Sequence, residues 1–330
     1  MTPKEFIQRQ GLPYEAKVAH AEVKAREFYS RVENCHVSVG GLDSITLLLF
    51  LRKIGIDVPA ISVSCLEDVS IQRIHKQLGV EPLRPYKTQE AVIREFGYPV
   101  LSKQTAGKIE LLQNPTGKNA TVRHAIMTGD TGKQGGFRTG TRMRMSQKWL
   151  DKFAGSENAN YGTAYETAPF KVSAKCCYYM KEKPCDDWAR AHKSSPFLGL
   201  MASEHGQREK ALMAHGCNYY GKTVTRSAPF AIFQRQDILQ LAIDLNVPIP
   251  AIYGEIVRDS DGTLRTTRAQ RTGCYLCGFG IHLEKRPHRF DRMRQDNPKL
   301  WEHCMYDVGW GAVLDYIGVG WRYVDGGELQ

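Results

Sequence analysis

This 330-residue sequence predicts an α/β fold built on a parallel sheet. Short apolar runs alternate with helical patterns along most of the chain, as in strands joined by crossover helices that cover both faces of a sheet. Glycines close many of those helices. A turn with two glycines, VGGLDS at residues 39–44, joins the first apolar run to the first long helical one.

The elements follow in chain order. Residues 14 to about 30 form an amphipathic helical pattern with a mixed-charge face. CHVSV reads as a strand, and DSITLLLFLRKIG as a helix stopping at Gly55. VPAISVSCLED holds a second strand, VSIQRIHKQLG a helix ending at Gly79, EPLRPY a short extended piece, and TQEAVIREFG another helix. Residues 128–153, TGDTGKQGGFRTGTRMRMSQKWLDKF, begin as a glycine-rich loop with interleaved cations and end as a helix. KPCDDWARAH is helical, PFLGLMA a strand, SEHGQREKALMAHG a helix ending at Gly216, and RQDILQLAIDLNVP a helix ending before Pro248. Beyond about residue 255 the sequence is loop-rich and basic, with short helices towards GAVLDYIGV. The expected organisation is an N-terminal helical extension over 1–30, a nucleotide-binding α/β domain over 31–255, and a cysteine-containing C-terminal segment over 256–330 packed on it.

Charge and cysteine usage narrow the function. The chain carries 45 Lys and Arg against 35 Asp and Glu, a net +10, which favours polyanionic partners: a nucleotide or a nucleic acid. The longest apolar run near the start, residues 45–51, is far too short to cross a bilayer, and MTPKEFIQRQ has no apolar signal core; a cytoplasmic protein with no membrane partner is expected. Nine cysteines in such a protein do not suggest a disulfide framework. Two pairs stand out, Cys176 with Cys177 and Cys274 with Cys277. Four thiolates converging on one point suit either a cubane iron–sulfur cluster or tetrahedral zinc. Cys217, just after a helix-ending glycine, is an alternative to Cys176 as a ligand.

The VGGLDS turn has a physical purpose. A glycine turn between strand and helix exposes backbone N–H groups at the positive end of the helix dipole, and glycine lets an anion approach where a Cβ would block it. Asp43 and Ser44 at the helix start either cap it or hold Mg²⁺ and a phosphate oxygen. GCNYYGKT, residues 216–223, satisfies the Walker A expression, but that loop must leave a strand and open a helix. Here a helical pattern precedes it and an extended one follows, so it is not read as a phosphate loop.

VGGLDS resembles the SGGxDS pyrophosphate loop of the PP-loop ATP pyrophosphatases, a superfamily that includes the sulfonucleotide (APS and PAPS) reductases, the DNA phosphorothioation protein DndC and tRNA thiolation enzymes. Gly40, Gly41, Asp43 and Ser44 fit the pattern; Val39 stands where the first serine usually is, with Ser38 adjacent. LGLMASEHGQREKAL is similar to a segment of the PAPS reductase family, with Gly199, Glu204 and Arg208 matching. APFAIFQRQDILQLAIDLNVPIPAIYGE looks like that family's P-x-x-x-F-x-x-x-D-I-W segment through Pro229, Phe233, Asp237 and Ile238. The cysteine order is similar to the [4Fe–4S] pattern of APS reductases, and that likeness favours iron over zinc. The resemblance implies an adenine nucleotide α-hydrolase-like fold with ATP or a related nucleotide and Mg²⁺ held by Ser38, Gly40, Gly41, Asp43, Ser44, Glu204 and Arg208. Asp43, Ser44 and Arg208 would serve the chemistry, and Cys176, Cys177, Cys274 and Cys277 the cluster.

The expected activity is ATP cleavage between the α and β phosphates, with an acceptor activated by adenylation and sulfur then transferred. The net positive charge makes a nucleic acid the candidate acceptor, and a sulfur-donor protein is a further candidate partner. A sulfonucleotide reductase is the second reading; no cysteine follows Cys304, whereas those enzymes attack with a cysteine in a C-terminal tail. The third is a nucleic-acid-binding iron–sulfur protein without turnover. The cations of residues 133–144 suit a mobile lid over phosphates or a groove for a nucleic-acid backbone, and Asp130 is a candidate metal ligand there.

Overall fold

The computed structural model describes residues 3–155, 168–204 and 206–322. The chain divides into two compact units: Met1–Pro85 with Lys181–Tyr275, and Tyr86–Met180 with Leu276–Gln330. The boundaries fall after residues 85, 180 and 275, not after 30 and 255. The N-terminal helices belong to the first unit, and the stretch after residue 85 builds its own core with the chain's last sixth. Residues 323–330 of the expected C-terminal segment lie outside the described residues.

Unit 1 is an α/β structure with a mostly parallel central sheet. Its strands are β1 (Cys35–Ser38), β2 (Ala60–Ser62), β3 (Glu81–Pro82), β4 (Ser195–Leu198), β5 (Asn218–Tyr220) and β6 (Thr225–Ser227), with a separate antiparallel hairpin of β7 (Ile256–Arg258) and β8 (Leu264–Thr266). The sheet order is β3-β2-β1-β4-β6-β5, and every pairing is parallel except β5 with β6. Val37 lies in register with Ala60 on one side and Phe197 on the other. The chain thus runs outward from β1 through β2 to β3 and then returns to β1's opposite side as β4. That reversal makes the carboxyl ends of β1 and β4 a topological switch point, where open α/β sheets hold ligands.

The helices of unit 1 are α1 (Pro3–Gln10), α2 (Tyr14–Arg31), α3 (Leu42–Lys53), α4 (Val69–Gln77), α5 (Lys183–Ala191), α6 (Gly206–His215) and α7 (Arg235–Asp244). Leu42, Ile45, Leu47, Leu48, Phe50 and Leu51 of α3 are all buried, as expected of a helix that is apolar almost all round. They share a core with Phe28, Val37, Phe197, Phe230 and Phe233. Edge-to-face and tilted aromatic pairs tie that core together, with Phe28 to Phe197 centroids at 5.0 Å and Phe50 to Phe230 at 5.4 Å. The Walker-like GCNYYGKT is the β5 strand and its turn into β6, so no helix follows it.

Unit 2 is mainly helical. Helices Gln89–Phe96, Lys103–Gln113, Ala120–Thr128 and Gln147–Phe153 share a core with Arg289–Asp296, Pro298–Glu302 and Trp310–Ile317. A short parallel ladder pairs Val100–Leu101 with Gly278–Phe279. Trp310 is fully buried, 5.3 Å in ring separation from both Tyr98 and Phe290. Among the described residues no helix is long and apolar enough to cross a membrane.

Candidate active site

The VGGLDS turn leaves β1 and opens α3, and a cavity of about 390 Å³ lies over it in unit 1. Its lining brings together every residue expected to hold the nucleotide: Ser38, Gly40, Gly41, Asp43, Ser44, Glu204 and Arg208. The carboxyl ends of the strands supply the floor, Ser38 from β1, Glu67 after β2, Leu198 from β4 and Gly199 just after it.

The turn is held by a compact set of hydrogen bonds. Gly41 is the N-cap of α3 and has no side chain to cap it. Helix geometry leaves the first-turn N–H groups of Asp43 and Ser44 without intrahelical acceptors. The capping role considered for Asp43 and Ser44 is therefore not the one they take. Ser44 Oγ accepts from Gly40 N at 2.7 Å and donates to Gly41 O at 3.0 Å, which tightens the turn. Asp43 sits in the first helical turn, where a carboxylate favours the dipole, and pairs with Arg235 Nη1 at 2.5 Å.

Sequence reading missed the residues that buttress this turn. Tyr253 Oη accepts from Leu42 N at 3.2 Å and is 2.8 Å from Thr272 Oγ1. His75 Nε2 lies 2.8 Å from Gly40 O, and its Nδ1 lies 2.9 Å from Ser64 Oγ. A carbonyl only accepts, so Nε2 carries the proton and Nδ1 accepts from the serine. Burial lowers the His75 pKa, which favours the neutral ring in that role. Gly199 lets β4's end approach the turn's backbone: a Cβ there would lie 3.0 Å from Ser44 Cα and 3.1 Å from Asp43 O. No local motif marks Tyr253, Thr272 or Arg235, which lie more than 190 residues from the turn; only the fold gathers them.

Charge in the cavity is arranged in pairs. Glu67, 4% exposed, holds Lys181 Nζ at 2.5 Å. Glu204, 8% exposed, holds Arg208 Nη1 at 2.5 Å, with Arg271 Nη1 at 3.8 Å. With Asp43 and Arg235, four cations thus face three carboxylates, and an anionic ligand would restore balance. Desolvation raises the Asp43 pKa above the ordinary carboxylate range; the nearby Glu204 charge adds to this, while Arg235 and Arg271 pull the other way.

The nine cysteines are all thiols, with no disulfide. Cys176 is buried at the centre of a short helix in unit 2 and accepts from Gln89 Nε2 at 3.8 Å; Cys177 follows it, half-buried. Cys274 is buried near the end of unit 1's sequence, and Cys277 is half-buried near the start of unit 2's second segment. Cys217 lies in the apolar core of unit 1, where burial pushes its thiol up to about 11; such a thiol is a poor source of thiolate. Among the described residues no three or more His, Cys, Asp or Glu side chains are gathered as a metal site. Asp130, the candidate ligand of the glycine-rich loop, donates its backbone N–H to Thr128 Oγ1 at 3.0 Å.

That loop is closed by its own hydrogen bonds. Thr131 N donates to Arg138 O at 2.8 Å, Arg138 N to Thr131 Oγ1 at 2.9 Å, and Thr131 Oγ1 to Gly135 O at 3.0 Å. Its base is pinned by Thr141, whose N and Oγ1 both donate to Gly129 O. No family model matches the chain and no curated protein matches it, so the functional reading rests on these residues.

Proposed function

We propose that unit 1 is the adenine-nucleotide site of a PP-loop ATP pyrophosphatase of the PAPS reductase type, acting in sulfur transfer. The observation that carries this reading is the uncapped glycine turn at the sheet's switch point, opening α3 into a cavity with four cations. The nucleotide's phosphates would lie against the first turn of α3, with Arg208 and Arg235 as charge-assisted donors. An acceptor nucleophile would attack the α-phosphorus; the bond from that phosphorus to the bridging oxygen breaks, and pyrophosphate leaves against the turn's backbone dipoles. Mg²⁺ is bound in such sites by one or two carboxylates plus phosphate oxygens. Asp43 suits that role once Arg235 turns to the phosphates, with Glu204 as the nearest second carboxylate; Mg²⁺ would neutralise charge on the departing pyrophosphate.

Asp43→Ala is expected to weaken Mg-ATP binding by roughly tenfold, the loss of one charge-assisted interaction of about 1.5 kcal/mol. Its melting temperature should stay close to the parent's, because the side chain is 27% exposed. Calorimetric titration that finds parental affinity removes the assignment. The cysteine pattern favours a second reading, a sulfonucleotide reductase; reductant-dependent sulfite release, without pyrophosphate release from ATP, would select it.

A thiolate-bound [4Fe–4S] cluster on Cys176, Cys177, Cys274 and Cys277 is proposed from the sequence pattern and the donor chemistry, four soft sulfur ligands of the kind iron–sulfur clusters take. An anaerobic preparation is expected to be brown and to contain iron and acid-labile sulfide in equal amounts, both lost in Cys274→Ser with Cys277→Ser. A colourless preparation with zinc bound would keep the thiolate site and remove the iron.

A further inference from the structure

The charge of this protein is concentrated in one stretch. Residues 103–152, all in unit 2, hold ten lysines and arginines against three acidic residues, Glu110, Asp130 and Asp151. Seven of the chain's ten net positive charges therefore fall in this segment. A solvated basic face usually neutralises itself with local ion pairs. Here, among the described residues, no carboxylate forms an ion pair with Lys133, Arg138, Arg142, Arg144 or Lys148, and all five are exposed.

A second observation is independent of charge. Phe137, at the tip of the closed loop, is 74% exposed and has a left-handed backbone, φ 49°. A bulky residue rarely adopts that conformation without a reason. The Thr131 and Thr141 hydrogen bonds hold it there, so the ring is presented on an ordered turn. Gly135 is needed for the closure: a Cβ on it would lie 2.4 Å from Thr131 Cβ. At the foot of the same loop is a cavity of about 420 Å³, lined by Thr121, Arg123, His124, Thr131 and Gly132 among others.

We propose that this segment binds single-stranded nucleic acid, with the phosphate backbone on Lys133, Arg138, Arg142 and Arg144 and a base stacked on Phe137. An exposed aromatic ring set among cations is the arrangement that holds unstacked bases. In a duplex the bases are already stacked and the ring would meet only backbone. A membrane surface fits less well, since Phe137 has only glycine and polar residues as loop neighbours and one ring buries little apolar area. The loop's internal hydrogen bonds lower the ordering cost of binding. This inference names the acceptor class of the activity proposed above, and rests on that reading only in calling the nucleic acid a substrate; the binding itself does not depend on it.

The test uses the full chain and fluorescently labelled RNA and DNA oligonucleotides of mixed sequence, single-stranded and as duplexes, with anionic phosphatidylserine vesicles as a comparison. Single strands should bind best, with log affinity falling against log salt by about 0.7 for each phosphate neutralised. Replacing Arg138, Arg142 and Arg144 together by alanine should flatten that slope by about 2. Phe137→Ala should lower affinity roughly five- to hundredfold with the slope unchanged, and Phe137→Trp should retain it. Duplex bound as tightly as single strand and indifferent to Phe137→Ala overturns the proposal, as does an unchanged salt slope in the triple variant or preferential binding to vesicles. Asp43→Ala should leave nucleic-acid affinity intact. A chain that binds single strands but not Mg-ATP keeps this site and removes the nucleotide reading, and the converse result removes this site alone.

Discussion

Gly41→Ala is expected to destabilise unit 1 by about 1–3 kcal/mol, the usual range for forcing atoms into a filled site, and to abolish measurable Mg-ATP binding. The backbone is not the obstacle: φ −79° and ψ −163° suit any residue. Space is the obstacle. A Cβ at position 41 would stand 2.3 Å from Tyr253 Oη and 3.1 Å from Thr272 Oγ1. Tyr253 is 3% exposed, so its ring has little room to retreat, and the turn itself must move. Adding Tyr253→Phe removes the blocking oxygen and leaves the ring carbon at an ordinary 3.5 Å. The double variant should recover most of the lost stability, short of about 1 kcal/mol for the acceptor taken from Leu42 N. Gly199→Ala should be harder to rescue, because its Cβ meets the backbone of Asp43 and Ser44, which no side-chain change removes. Thermal melting and calorimetry of the three variants check this; a Gly41→Ala protein with parental melting and parental nucleotide affinity would show that the turn is not packed as described.

The contrast between Gly41 and Tyr253 shows how far the sequence could be read. The strand, glycine turn and helix of residues 35–53 were legible because local chemistry sets them: an apolar run, two glycines, then a helical stretch closed by Gly55, which takes φ 78°. The same local logic locates the helix closed by Gly79, the helix before Gly216 and the refusal of GCNYYGKT as a phosphate loop. Tyr253, Thr272 and His75 were not legible, since each acts by reaching the turn across the fold, and an isolated tyrosine, threonine or histidine announces nothing. The unit boundaries were hidden for a related reason. Tyr86–Met180 carries helical patterns like those around it, and its separation depends on which apolar faces meet: Leu101, Phe153 and Met145 share a core with Phe290 and Trp310, more than 130 residues away. Glycines in the loop at 129–140 suggested mobility, yet Gly132 and Gly135 are used for close packing against Thr121 and Thr131.

Lys17→Met is expected to have the largest effect on stability, a loss of about 3–5 kcal/mol, because it strips one partner from a buried ion pair and leaves the other charge unpaired. Lys17 Nζ on α2 lies 2.7 Å from Asp237 Oδ2 in the first turn of α7, with the two side chains only 6% and 11% exposed. Asp237 Oδ2 also accepts from Gln234 N at 2.7 Å, closing a capping box on α7. The same carboxylate therefore caps one helix and anchors another, and Tyr14 Oη on α2 adds a second tie to Asp244 at 2.5 Å. Lys17→Met should lower the melting temperature markedly, and Lys17→Met with Asp237→Leu should recover part of the loss, since an apolar pair avoids the buried charge while forfeiting the cap. A functional consequence follows from chain position. Arg235 opens the helix that Asp237 caps and is the partner of Asp43 in the cavity. A loosened α7 start should displace Arg235, so Lys17→Met should also weaken Mg-ATP binding well below the unfolding midpoint, although Lys17 does not line the cavity. If the single variant melts like the parent, the pair is not buried in solution as described. If stability falls while nucleotide affinity at low temperature is unchanged, α7 positions Arg235 without help from its cap.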